Sequence, residues 1–550
     1  MMMEFPTEGQ TFFQIIDKNL LYVDKTEIIH KIVTKPGCYF LSRPRRFGKS
    51  LLLSTIAELY GGNKDLFKDL WIASDDVEYK FEKFPVINIG MTGFSDNENR
   101  LINFINAQLL ESAKINGVKE VDGDDPAVIA TKLIGSLQRE SGKRVVFLID
   151  EYDAPISSRI DNIPQAELNR DVLHSFYSSL KTAMDQGKIH LLFVTGVTKF
   201  AKASIFSAFN NLNDISMNSN YHNICGFSME EFERYFVSYL PEILKYNKKM
   251  NFLPTFLKLK DFKNLILKQY DGYSWDGIQR VINPYTIMKF LENKLLKNFW
   301  FSSGTPSFLL KYIKQRPLEL TDIESLHLDT IQLDAVEIDN LELSPLLFQT
   351  GYLTIDKQTS PDDYLLKIPN KEVEDGFNSS LFRYLTKKRE NNALILALKE
   401  QIANALMNFD SNQLAQAFTR ILSWITYFEQ PEREGSHHAV IFAVLKCLSF
   451  QITSQIVSTE GVIDFLIEMP QNTLFVGEFK YEKLEKEPKD NIETRKRDKL
   501  QKAIALGEAQ IAARRYYKGL LAKGATVKCL AVGIVGRNDV AVKIFDPPPD

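Results

Sequence analysis

At 550 residues the chain is about three to four typical domains long, with room for several complete hydrophobic cores. Its 44% hydrophobic and 25% charged residues are ordinary globular values, which excludes wholesale disorder and collagen-like or mucin-like chains. Sixty-seven Lys and Arg against 70 Asp and Glu leave a net charge of -3, so the chain is no polycation built to coat nucleic acid, and any such binding needs a local patch.

Four cysteines, Cys38, Cys225, Cys447 and Cys529, lie far apart without a CxxC pair. That excludes a disulfide scaffold and a Cys-rich zinc site and fits a reducing cytosol. No basic segment followed by an apolar one opens the chain, and no run approaches the roughly 18 apolar residues of a membrane-spanning helix. The expectation is a soluble, cytoplasmic protein without a membrane partner.

In chain order, Cys38–Leu41 is a short apolar run followed by a turn and a helical pattern over Ser50–Tyr60. Phe84–Ile89, Arg144–Asp150 and Ile189–Thr195 are nearly continuous apolar segments, the pattern of parallel strands buried on both faces. Helical patterns at Arg100–Ala113 and Glu167–Gln186 supply crossovers, so this region reads as α/β. From Ser228 to Phe301 the pattern is mostly helical, opening on a capping box at Ser228 and Glu231. Strands are expected at Gly351–Ile355 and Tyr364–Ile368, a helical stretch at Ala393–Phe428, and a second α/β region from about Glu434 to Ile544, with a helix, two strands, a charged helical segment, a helix and a last strand.

The turn after Leu41 reads Ser-Arg43-Pro-Arg-Arg-Phe-Gly48-Lys49-Ser50. A phosphate-binding loop needs backbone N–H groups aimed at phosphate oxygens, a lysine for the β- and γ-phosphates and a hydroxyl for Mg²⁺. Arg46, Phe47, Gly48, Lys49, Ser50 and Leu51 are the candidate nucleotide-binding residues. Arg43 stands where GxxxxGK[ST] has its first glycine, and a bare GKS also fits a basic turn capped by Ser50. The strand Val145–Asp150 favours the nucleotide, because it ends in two carboxylates about 100 residues downstream. Asp150 would hold Mg²⁺ together with Ser50, and Glu151 would orient or deprotonate the attacking water. Thr195 ends a third strand, where NTPases of the AAA type carry a phosphate-sensing side chain.

Tyr22–Thr26, Arg43–Ser50, Asp150–Asp153, Ile205–Ser207 and Asn210–Leu212 resemble the bacterial AAA-ATPase-like proteins that carry a PD-(D/E)XK nuclease-superfamily domain at the C-terminus. Asn283–Tyr285, Ser303–Pro306, Gln349–Thr354 and Ile368–Asn370 extend the resemblance through the middle of the chain. The resemblance implies that Arg43 at the loop start is usual.

Toward the C-terminus, β-type runs Gly461–Glu468 and Thr473–Lys480 flank the turn Met469–Asn472. Folded as a hairpin, they bring Asp464 opposite Gly477 or Glu478, depending on loop parity. Opposed residues lie about 5 Å apart, close enough for two carboxylates to share one Mg²⁺. Lys480 shares a face with Glu478 because strand side chains alternate. An exposed edge face carrying a salt bridge is the plain alternative.

The resemblance implies metal-assisted phosphodiester hydrolysis, with Asp464 and Glu478 as metal ligands and Lys480 orienting water or neutralising charge. It also implies that Glu434 is a helical acid completing the metal shell, and that Gln510, of a Gln-x5-Tyr helix ending at Tyr516, positions water or backbone. Val462 departs from the family's strand, which often has arginine there. Acids are interleaved with the basic residues of Lys483–Lys502, and such a mixture is usually a solvated helix face. His437 and His438, pointing in different directions on a helix, are expected either to pack the helix or to support the metal ligands from behind, rather than to bind metal.

The sequence therefore predicts an α/β chain with a P-loop NTPase parallel sheet at 1–225, a mostly helical middle region with a small mixed α/β part at 226–400 and a restriction-endonuclease-like α/β domain at 401–550. The expected cofactors are ATP and Mg²⁺, with Mn²⁺ as an option at the nuclease-like site, and the expected partner is DNA or RNA. A nucleotide-switched regulator whose C-terminal domain only binds is the competing reading. No arginine finger is legible, which leaves activation in trans within a homo-oligomer open.

Overall fold

The computed structural model describes residues 3–94, 96–119, 121–199, 212–300, 327–334, 342–386, 392–424, 434–458, 461–484, 491–515, 517–521 and 524–548. It divides into two compact units, Met1–Glu374 and Asp375–Asp550. Residues 226–374, expected to form most of a separate middle region, thus group with the N-terminal sheet.

In the first unit, β1 (Cys38–Ser42), β2 (Val86–Gly90), β3 (Val145–Asp150), β4 (Ile189–Gly196) and β5 (Leu212–Asp214) form a parallel sheet in the order β2-β3-β4-β1-β5. Every residue of β1 and β3 is buried, as strands covered by helices on both faces require. The chain leaves β1 for the far edge at β2, and β4 then inserts between β1 and β3. This order brings the carboxyl ends of β1, β4 and β3 side by side, with Leu41 paired to Thr195 and Ile149 to Val194. Carboxyl ends are where open α/β sheets bind ligands.

A second core of the same unit is helical. It gathers Leu21, Val23 and Phe227 with Phe232, Phe262, Ile266 and Phe290 from helices Met229–Tyr235, Leu259–Tyr270 and Pro284–Asn293. The expected capping box is formed: Ser228 Oγ accepts from Glu231 N at 3.2 Å, and Glu231 Oε2 accepts from Ser228 N at 2.7 Å. The Glu231 carboxylate also takes Lys25 Nζ at 2.6 Å on both oxygens, tying the segment before the sheet to this helix.

The three-stranded sheet of β6 (His327–Asp329), β7 (Thr354–Ser360) and β8 (Asp363–Lys367) corrects one expectation. The strand predicted at Gly351–Ile355 begins only at Thr354, because Gly351 ends the helix Leu343–Thr350 in a left-handed cap at φ 89°.

The second unit carries β9 (Gln451–Ser458), β10 (Gly461–Met469), β11 (Thr473–Glu482), β12 (Thr526–Val535) and β13 (Asp539–Phe545), in the order β13-β12-β11-β10-β9. β9, β10 and β11 are an antiparallel meander, β12 joins β11 in parallel, and β13 returns antiparallel. The sequence reading anticipated β10, β11 and one last strand but neither β9 nor a second terminal strand. The helix Ile492–Arg514 crosses from β11 to β12, burying Ala503, Gly507 and Ile511, a four-residue spacing that marks one helical face. Among the described residues no helix is long and apolar enough to cross a membrane.

Candidate functional sites

The loop between β1 and the helix Lys49–Tyr60 opens onto a cavity of about 670 Å³ lined by Arg45–Leu52, Glu151, Ile224–Phe227 and Tyr285, among others. Gly48 precedes the helix with φ 92°, a left-handed conformation that favours glycine, and offers no side chain to cap it. The first N–H groups of the helix, at Lys49, Ser50 and Leu51, lack intrahelical partners and carry the positive end of its dipole.

Ser50 Oγ donates to Asp150 Oδ2. Thr195 Oγ1 donates to the other carboxylate oxygen, Asp150 Oδ1, at 2.6 Å. Lys49, nearly fully buried, donates from Nζ to the carbonyls of Arg43 and Pro44 at 2.9 and 3.1 Å. Hydroxyl, carboxylate and ammonium therefore converge at the helix N-terminus from three adjacent strand ends. Hydroxyl and carboxylate oxygens are the donor set that suits Mg²⁺. Glu151 lines the same cavity on a left-handed backbone at φ 53°. Burial raises its pKa, while Lys49 pulls it down and Asp150 and Asp153 push it up.

Residues 6–206 match a family model described as a predicted AAA-ATPase. Over 497 residues the chain is 30% identical to the "Uncharacterized protein in vnfD 5'region" of Azotobacter chroococcum mcd 1, covering 87% of this chain and 89% of that protein. The chain belongs to one family with the Azotobacter protein, and its N-terminal part is an AAA-ATPase-like domain. Such a domain implies nucleotide binding. No solved structure matches the chain.

Within the AAA-ATPase-like domain, Arg43 does not obstruct the loop. Its guanidinium turns out of the cavity, donating to the carbonyls of Ser42 at 2.9 Å and Ser216 at 2.6 Å and lying 4.5 Å from the centroid of the Trp275 ring. Burial pulls its pKa down to about 10, against the opposing pull of Cys225, Asp214 and Asp276, so it stays cationic at neutral pH. Phe47 is also turned into the protein, against Tyr273 and Trp275, which leaves only its backbone for a ligand. Leu51 lines the cavity, and its carbonyl accepts from Ser54 and Thr55.

Arg46 has a left-handed backbone, φ 72°, pairs with Glu8 and lies 4.9 Å from the Tyr285 ring centroid. The sequence reading missed Glu8 and gave Tyr285 no role. For Tyr285 a local signal existed, since Asn283 caps the helix Pro284–Asn293 by accepting from Tyr285 N at 2.9 Å. Glu8 would compete with a bound phosphate for Arg46. Glu8→Gln is therefore expected to tighten Mg·ATP binding about two- to five-fold at low salt, the scale of a partly exposed ion pair, and to lose that advantage at high salt. Equilibrium titration at two ionic strengths checks this, and weaker binding would make Glu8 part of the ligand site instead.

Glu372 is a buried carboxylate behind the loop. It accepts from Trp300 N at 2.7 Å and from Thr286 Oγ1 at 3.1 Å. Burial pushes its pKa from 4.5 up to about 7, outweighing the hydrogen bonds of Trp300, Thr286 and Phe299 that lower it. The folded chain then holds this proton to higher pH than the unfolded chain, so stability falls as pH rises from about 4.5 to about 7 and levels off above. At about 1.4 kcal/mol per pH unit this is on the order of 3 kcal/mol. Glu372→Gln is expected to flatten that decline, as urea unfolding at pH 5 and pH 8 would measure.

In the second unit, the register pairs Phe465 with Gly477. Gly477 is thus opposite Phe465 and not Asp464, which excludes one of the two loop parities. Asp464 Oδ2 accepts the Phe479 N–H at 2.9 Å, placing its carboxylate at the backbone between Glu478 and Lys480. Glu478 is fully buried. Its Oε2 accepts from Gln510 Nε2 at 2.8 Å and lies 3.6 Å from Lys480 Nζ, which also donates to the Phe479 carbonyl at 2.7 Å. Asp464, Glu478, Lys480 and Gln510 thus form one cluster.

The opposite face of the strand supports it. A Cβ on Gly477 would stand 1.9 Å from the Phe465 ring, so that ring requires glycine across from it. His438 stacks on Phe479 at 4.6 Å and His437 on Tyr481 at 5.1 Å, so both rings pack against this strand. Glu434 begins the helix Glu434–Cys447, but its side chain lies outside the described residues, as do Tyr516 and the motifs Ile205–Ser207, Asn210–Asn211 and Ser303–Pro306. Along the helix Ile492–Arg514, Lys496 pairs with Asp539 at 3.1 Å and Lys502 with Glu482 at 2.8 Å. These basic residues already face acids, consistent with a mixed-charge surface.

Proposed function

We propose that the chain is an ATP-binding NTPase coupled to a metal-dependent nuclease acting on nucleic acid phosphodiesters. The observation that carries the nucleotide half is the convergence of Ser50 and Thr195 on opposite oxygens of Asp150, at the mouth of a loop whose lysine is buried. Lys49 would leave the Arg43 and Pro44 carbonyls for the phosphates, and Ser50 and Asp150 would hold Mg²⁺. Glu151 would orient the attacking water, its burial-raised pKa easing acceptance of a proton.

The hydrolytic half is supported by the Asp464–Glu478–Lys480–Gln510 cluster and by the strand order around it: an antiparallel meander, a crossover helix and a parallel strand. Asp464 and Glu478 offer carboxylate oxygens that suit Mg²⁺ or Mn²⁺, and such an ion would lower the pKa of a bound water and offset charge developing on phosphate. Gln510 fixes the Glu478 carboxylate, and Lys480 places a cation beside it for a phosphate oxygen.

Incubating the intact chain with Mg²⁺ or Mn²⁺, ATP and mixed DNA and RNA tests the reading. Metal-dependent cleavage is the expected result. A nucleotide-dependent mobility shift without cleavage would replace it with a regulator whose C-terminal unit only binds.

A further inference from the structure

We propose that Trp300 is a positioning residue for the nucleotide site, holding the Arg45 carbonyl so that the next N–H in the loop is preset for phosphate. The inference rests on the nucleotide reading above and adds a residue from outside the loop. A glycine-rich phosphate loop can turn its peptides freely, whereas here residues 43–47 are Arg-Pro-Arg-Arg-Phe. Arg46 stands at φ 72°, where an L side chain is strained, so the peptides beside it need support from outside the loop.

Three successive carbonyls are held. Lys49 Nζ takes those of Arg43 and Pro44, and the indole Nε1 of Trp300 donates to that of Arg45 at 3.2 Å. In a trans peptide the carbonyl of one residue and the N–H of the next point in opposite directions. Securing the Arg45 carbonyl on Trp300 therefore turns the Arg46 N–H away from Trp300. The cavity is lined by Arg45–Leu52, with Trp300 outside its lining.

The two anchors differ in permanence. Lys49 must give up its carbonyls when it engages phosphate, but Trp300 is 1% exposed and its own backbone N–H is held by Glu372 Oε1 at 2.7 Å. Its grip on Arg45 therefore persists through binding. Gly351 closes the same corner: a Cβ there would lie 2.7 Å from Pro44 Cβ and 3.5 Å from Trp300 Cζ2, on a backbone at φ 89°. Only glycine lets the two sides of this support meet.

Trp300→Phe keeps a ring near Tyr352 but removes the N–H. Titrations with Mg·ATP and with tripolyphosphate, which has phosphates and no base, are expected to weaken by the same factor, about five- to ten-fold, the scale of one hydrogen bond. A purely structural role would lower the melting temperature and leave both affinities at the wild-type value, which overturns the proposal. If Trp300→Phe does not fold, Gly351→Ala decides, with the same shared loss expected and unchanged affinities overturning it. Wild-type protein that binds neither ligand would sink the nucleotide reading and this inference together. Binding by wild type with no loss in either variant would sink this inference alone.

Discussion

Lys49→Ala is expected to weaken Mg·ATP binding by about 100-fold or more while leaving the fold intact. The magnitude follows from the lost interaction: a hydrogen bond to a charged group contributes about 1.5–3 kcal/mol, and the γ- and β-phosphates would each lose one. The buried ammonium also holds the Arg43 and Pro44 carbonyls, so its removal leaves two loop peptides unsecured just where anions would enter. Fluorescence titration with a labelled ATP measures the loss directly. Wild-type affinity in this variant would place the nucleotide elsewhere.

Asp464→Asn and Lys480→Ala are each expected to abolish metal-dependent cleavage, by at least about 100-fold, without changing nucleotide binding. Losses of this size are typical when a group stabilising transition-state charge is removed. The asparagine is chosen for its shape, since its amide oxygen can still accept the Phe479 N–H and preserve the local backbone. It forfeits the negative charge that a divalent ion needs. Cleavage assays with Mn²⁺ on the two variants and wild type decide the matter, and unchanged cutting in both would end the nuclease assignment.

The parallel core of the first unit was readable because Val145–Asp150 and Ile189–Thr195 are continuous apolar runs, which only strands covered on both faces tolerate. The acid pair 150/151 and the Gly48-Lys49-Ser50 turn were readable because local chain geometry dictates their residue types. β5 was not, since three residues, Leu212–Asp214, give no periodicity and gain their strand character only by pairing with Cys38–Phe40. Gln451–Ser458 hid in the same way: it mixes Thr, Ser and Gln among two isoleucines and a valine, and its partner β10 supplies the order.

Gly351 shows a local conflict resolved by longer range. The apolar residues after it resemble a strand, yet the helix before it needs a left-handed cap and Pro44 needs the space. Glu8 and Trp300 were invisible for a related reason. Each meets the phosphate loop across a long stretch of sequence, and no local pattern encodes such a meeting.

If one polypeptide holds two separate divalent-cation pockets, a crystal soaked with manganese and a non-hydrolysable ATP analogue will show both. Anomalous difference density should appear beside Ser50 and Asp150, with triphosphate along residues 45–51, and again between Asp464 and Glu478. Triphosphate bound away from that loop, or manganese absent from the Asp464 and Glu478 carboxylates at saturating concentration, would contradict the two-pocket reading.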